Sequence, residues 1–132
     1  MPKVYRDTTH TAANDLVIGV GIVTASVLPT TATAYKRGDV VTVDAATNVA
    51  THPATATGFQ AIVAENVSAE QATSHAASST EIPVYVSGEF NAFECSVSGT
   101  KLDKAGRLAA RAHAVGAGLP LTIKLPDGKQ DV

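Results

Sequence analysis

Apolar residues in this chain fall into short period-two blocks set off by Gly, Pro, Asn and Thr, and only one block has a helical period. Ile82, Val84 and Val86 alternate with Pro83, Tyr85 and Ser87, which predicts a strand over 81–87. That strand is expected to break at Gly88 into a compact Gly-Glu-Phe-Asn corner, Gly88 to Asn91. Tyr35-Lys36-Arg37-Gly38-Asp39 reads as a turn that launches a Val40-Val41-Thr42-Val43 strand. Turn formers at 44–48 follow before Val49. Further strands are expected over 59–67, at Phe93, Cys95 and Val97, and at Leu119, Leu121, Ile123 and Leu125.

From Asp103 the period changes. Ala105, Leu108, Ala109, Ala112 and Val115 share one helix face, with Asp103 as N-cap and Gly116 with Gly118 as the stop. The Ala/Ser/Thr-rich stretch 68–80 reads as a surface loop or a frayed helix, and 25–34 as an extended connection. Residues 16–24 form the first ordered apolar segment, while 1–15 are polar, with Val4 and Tyr5 the apolar anchors, and read as a flexible arm. The expected fold is mostly β with one C-terminal helix (α+β): a single small domain over 16–132 behind an N-terminal arm.

Composition narrows the core. Of 132 residues 45% are hydrophobic but only 5% aromatic, with no Trp, so the interior must be built mainly from Ala and Val. A thin core of this kind favours stabilisation by oligomerisation. Ten basic against 12 acidic residues give a net charge of −2, which supplies no electrostatic reason to expect nucleic acid or an anionic membrane as partner. No run approaches the ~20 apolar residues of a membrane span, and no secretory leader is recognisable. The single Cys, Cys95, excludes an internal disulfide and fits a reducing compartment.

Candidate chemistry is sparse. His10, His52, His75 and His113 lie far apart and read as surface histidines, so neither a metal nor a cofactor is expected. Cys95 reads as a buried, inert thiol. Gly19-Val20-Gly21 starts like a dinucleotide fingerprint, but the third position is Thr24 and no helix follows. Arg37-Gly38-Asp39 and Asn66-Val67-Ser68 match short recognition patterns by chance. Carboxylates such as Asp39, Asp44, Glu89 and Asp103 are scattered and read as solvated strand-end residues. The chain reads as a binding or structural protein, not an enzyme.

A Pro-Val-Tyr-Val strand running into Gly88-Glu89-Phe90-Asn91 resembles the head decoration proteins of tailed bacteriophages, the lambda protein D family. Tyr35 through Val41 resembles that family's opening turn and strand, and Phe59 through Val67 a strand that often reads Gly-Ile-Leu-Ala-Glu-Asp. The helix ending before Gly118-Leu119 resembles the closing helix. This chain departs at Phe59-Gln60-Ala61-Ile62, in its longer tail after Leu121, and in the 68–80 stretch.

The resemblance implies a capsid cement, made in the host bacterial cytoplasm and carried on the outer surface of the virion. Such proteins sit as homotrimers at local three-fold positions of the expanded head and clamp the major capsid protein against DNA pressure. It implies that the arm, through Val4, Tyr5, Arg6, Thr8, Thr9 and Thr11, adds a strand to a sheet edge of the major capsid protein. Gly88, Glu89, Phe90 and Asn91 are the family motif, with a structural or trimer role. The alternatives are another virion structural protein, such as a fibre-base or unrelated cement, and a small β-fold hydrolase.

Overall fold

A computed structural model of the chain describes residues 15–131. Eight strands and two helices follow in order: β1 Val23–Pro29, β2 Val40–Val43, β3 Val49–Thr51, β4 Ala61–Val63, α1 Ala69–Ser78, β5 Ile82–Asn91, β6 Ser96–Val97, β7 Thr100–Lys101, α2 Lys104–Gly116 and β8 Leu121–Lys124. The protein is mostly β, a small α+β domain.

Five strands close into a barrel. β1 is antiparallel to β5, with Val27 opposite Ile82, and β5 is antiparallel to β4, with Val63 opposite Val84. β4 pairs with β2 at Ile62 and Val40, and β2 with β3 at Val43 and Ala50. β3 then returns to β1 in parallel, Val49 opposite Leu28, so the ring has no open side. Period-two alternation sends Val27, Val41, Ala50, Ala61, Val63, Ile82 and Val84 to one cluster, to which every barrel strand contributes. A barrel of about eight strands is just wide enough to be filled by side chains, and five leave less room. Ala and Val fit such an interior. This is the structural consequence of the aromatic-poor composition.

The opposite parity, Val40, Ile62 and Tyr85, faces outward into a second cluster with Phe59, Phe90, Leu121, Ile123, Ala110 and Ala114. That layer lies between the barrel wall and α2 with β8. The sheet is therefore buried on both faces here, which explains why β4 is apolar at all three positions.

Several elements depart from the sequence expectation. A second helix, α1, occupies 69–78; Ser68 Oγ accepts from Gln71 N while Gln71 Oε1 accepts from Ser68 N, a complete capping box. The stretch 25–34, expected as an extended connection, contributes most of β1, recruited by its pairing with β5. β5 does not break at Gly88 but runs on to Asn91 and changes partners there. β8 joins in parallel on one side, and Val17 bridges Phe90 on the other. The expected Phe93–Cys95–Val97 strand is a 3₁₀ turn at Ala92–Glu94 followed by the two-residue β6, because Asn91 Oδ1 accepts from Phe93 N and caps the turn.

α2 forms where expected, with Asp103 Oδ1 accepting from Gly106 N, but its phase differs. The buried face is Arg107, Ala110 and Ala114, while Leu108 and Val115 face solvent. Arg107 occupies the inner face because its guanidinium is satisfied there. It donates to Asp131 Oδ1 at 2.7 Å and to the Leu102 carbonyl at 2.9 Å, 4.8 Å above the Phe93 ring. Small Ala110 and Ala114 then let the helix approach β8 closely.

Candidate functional site

The corner Gly88 to Asn91 is where the sequence places its family motif, and each residue has a distinct internal task. Gly88 adopts φ +131°, and a Cβ there would run into Ile22 Cδ1. Its lack of a side chain lets the first and second halves of β5 serve different partners. Glu89 lies across Gly19, whose own missing Cβ leaves the space for that carboxylate. Its Oε1 accepts from Lys124 Nζ at 2.9 Å, and the hydrogen bond holds the ammonium above its ordinary pKa. Phe90 is fully buried, its ring 5.2 Å from that of Tyr85. Asn91, also buried, donates from Nδ2 to the Asp15 carbonyl and from its backbone N to the Leu16 carbonyl. The corner thus fastens the start of the described chain to the barrel. The arm residues Val4, Tyr5, Arg6, Thr8, Thr9 and Thr11, together with His10, lie outside the described residues.

A second junction gathers around Asp39, which is fully buried rather than solvated as its strand-end position suggests. Oδ2 accepts from Lys36 N at 2.9 Å; Oδ1 accepts from Ser96 Oγ at 2.5 Å and from Gly99 N at 2.8 Å. Gly38 sits at φ +102° against the Glu94 carbonyl, which again leaves no space for a Cβ. The tripeptide Arg37-Gly38-Asp39 is therefore a structural turn whose carboxylate is inaccessible to any partner. No pattern in the local sequence marked Asp39; the Ser98-Gly99 turn, with Ser98 at φ 49° and Gly99 at φ +83°, is the partner that makes it structural.

The described histidines, His52, His75 and His113, are half-buried, and His52 and His113 are hydrogen-bonded within the chain. His113 bridges α2 to the loop before β4, with Nε2 2.9 Å from the Phe59 carbonyl and Nδ1 accepting from Gly58 N. His52 Nε2 lies 2.8 Å from the Ala34 carbonyl, its ring 4.9 Å from that of Tyr35. Cys95 is buried, its Sγ donating to the Asn91 carbonyl, and burial pushes its pKa up to about 12. A thiol in this state is a poor nucleophile.

Two of the shallow concavities on the surface are lined by described residues. One, of about 400 Å3, is lined by Thr42, Asp44 and Gln60 among others, and these three already bond within the chain. The other, of about 470 Å3, is bordered by Lys101, paired with Glu94, and by Asp103, which caps α2. Among the described residues, no group of three or more His, Cys, Asp or Glu is placed to hold a metal ion. The polar chemistry described above is thus spent on joining segments of the chain to each other. No protein-family model matches this chain, and no curated protein matches it.

Proposed function

We propose that this chain is a capsid decoration protein of a tailed bacteriophage, bound as a homotrimer to the outside of the expanded head. The observation that carries this reading is the ordered set of motifs spanning 35–41, 59–67 and 83–91. These separate segments are neighbours in one sheet, where Val40 lies opposite Ile62 and Ile62 opposite Tyr85. A shared pattern over adjacent strands supports a shared architecture more than scattered matches do. The resemblance supplies the function: clamping the major capsid protein at local three-fold positions against the pressure of packaged DNA. The net charge of −2 suits a body that has no affinity for the nucleic acid within.

In this reading the arm makes the capsid contact by adding a strand to a sheet edge of the major capsid protein. Three arms on one trimer act together, so modest single contacts combine into slow release. The testing experiment is co-sedimentation with expanded, undecorated heads of the parent phage. Saturable binding near one copy per major capsid protein subunit, with heads made harder to disrupt, is expected; absence of binding removes the reading. A truncation that stops at residue 14, keeping the Asp15 carbonyl that Asn91 uses, is expected to fold and fail to decorate. Full occupancy by that truncated chain overturns the arm's role.

A further inference from the structure

Asp127-Gly128 is the single place in the chain where an Asp or Asn side chain precedes a glycine. It forms the exposed tip of a turn after β8, closed by Lys129 N donating to the Pro126 carbonyl at 3.0 Å. Neither group that could react there is engaged. Among the described residues the Asp127 carboxylate accepts no hydrogen bond, and Gly128 N donates none. The space where a Gly128 side chain would stand is open, with no atom within 4 Å, so nothing shields the nitrogen. Exposed turn tips of this kind are where a chain tolerates covalent change.

The other candidates for the same chemistry are restrained. Asp39, Asp44, Asp103 and Asp131 each hold hydrogen bonds through their carboxylates. The side chains of Asn48, Asn66 and Asn91 are bonded as well. Asp15 precedes Leu16, whose branched and buried side chain crowds the backbone nitrogen that would have to attack. Asp127 therefore stands apart in both sequence and structure.

We propose that Asp127 is a site of spontaneous isoaspartate formation, and that this change slackens the C-terminal tail where it is strapped to α2. Gly128 N attacks Cγ of the protonated Asp127 carboxyl. The new N–Cγ bond closes a succinimide ring, and the carboxyl hydroxyl leaves with the amide proton as water. Adjacency of the two groups makes the step intramolecular. A water molecule then opens the ring. Cleavage of the N–Cγ bond restores aspartate, whereas cleavage at the α-carbonyl routes the backbone through Cγ and frees the α-carboxylate, giving isoaspartate. Further along the same tail Asp131, its side chain only 9% exposed, pairs with Arg107 at 2.7 Å and Arg111 at 3.3 Å. The isoaspartyl link lengthens the backbone by one methylene ahead of that anchor and moves Asp131 out of register with the two guanidinium groups. Breaking a buried pair is far more costly than breaking an exposed one. The site is independent of any role on a capsid.

The test is peptide mapping of the full chain after prolonged warm incubation, folded throughout, in mildly acidic buffer. Trypsin cleaves after Lys124 and Lys129 and releases Leu125–Lys129. This peptide is expected as two species of identical mass and different retention, one of them a substrate for an isoaspartyl methyltransferase supplied with labelled S-adenosylmethionine. Asp127→Glu keeps the charge but cannot close the same ring, and is expected to give one species. Asp127→Asn, which expels ammonia instead of water, is expected to convert several-fold faster than Asn48, Asn66 or Asn91. Both substitutions lie in an exposed turn. The melting temperature of the wild type is expected to fall as the isoaspartyl form accumulates, and to fall much less in Asp131→Asn, where the pairing is already weakened. A single Leu125–Lys129 species from the folded chain, while a urea-unfolded sample converts, overturns the site. Isoaspartate appearing equally at the other Asp residues overturns its selectivity, and equal melting shifts in the two backgrounds overturn the link to the strap.

Discussion

Ser96 Oγ donates to Asp39 Oδ1 at 2.5 Å, joining positions 57 residues apart inside a site from which solvent is excluded. The bond fixes the β6–β7 hairpin onto the turn before β2, and the same carboxylate also holds Lys36 N and Gly99 N. Removing it strands several donors at once. Asp39→Ala is expected to lower unfolding stability by about 2–4 kcal/mol, since each buried donor left unmatched costs roughly 1–3 kcal/mol. Urea unfolding measures this. A loss within experimental error of zero would mean that water replaces the carboxylate freely.

Cys95 gives a dependence on alkaline pH. Its pKa stands near 12 in the fold against an ordinary 9.0, with burial as the main cause. Between those values the unfolded thiol ionises while the folded one keeps its proton, so the folded state binds more protons and stability falls as pH rises. The limiting slope is about 1.4 kcal/mol per pH unit. Lys and Tyr titrate in the same range, so the quantity to read is the difference between wild type and Cys95→Ala. That variant is expected to lose this part of the slope. Parallel pH profiles for the two proteins would exclude the effect.

At Gly88 both space and backbone exclude a side chain. Gly88→Ala places a Cβ against Ile22 Cδ1 and within 3.2 Å of Phe90 Cζ, at φ +131°. Strain and overpacking each cost about 1–3 kcal/mol, so a loss of about 3 kcal/mol in thermal or denaturant unfolding is expected. A crystal structure of the variant should show the 20–23 segment displaced from β5. An unchanged melting temperature would contradict this account of the corner.

α1 depends on its cap to an unusual degree, because Ala72 is its one fully buried residue. Ser68→Ala is expected to cost about 1 kcal/mol and to raise hydrogen exchange at the amides of residues 69–72 first. Equal exchange in both proteins would show that packing against β1, not the capping box, holds the helix.

The parts of the fold that depend on local pattern were legible in the sequence. The strand at Val40–Val43, the last strand, the position of α2 and its Asp103 cap all follow from period and turn chemistry. The capping box at Ser68 and Gln71 is also written in the sequence, three residues apart, but the stretch after it lacks the large apolar residues that signal a helix. The Gly88 to Asn91 corner was visible as a motif, but its work was not. Residues 15 and 16, far away in sequence, supply the carbonyls that Asn91 binds.

Other features could be decided only by tertiary contact. Hydropathy put Leu108 and Val115 inside and could not foresee that Arg107 would find Asp131, the Leu102 carbonyl and the Phe93 ring on the opposite face. It gave Asp39 to solvent because the Ser96 and Gly99 donors lie about sixty residues on. Closure of the barrel rests on one short parallel contact, Leu28–Pro29 beside Val49–Ala50, which leaves no local trace. The physical reason is common to all three. Periodicity records which residues prefer to leave water, whereas burial of a charged group is decided by whether a distant segment arrives to satisfy it.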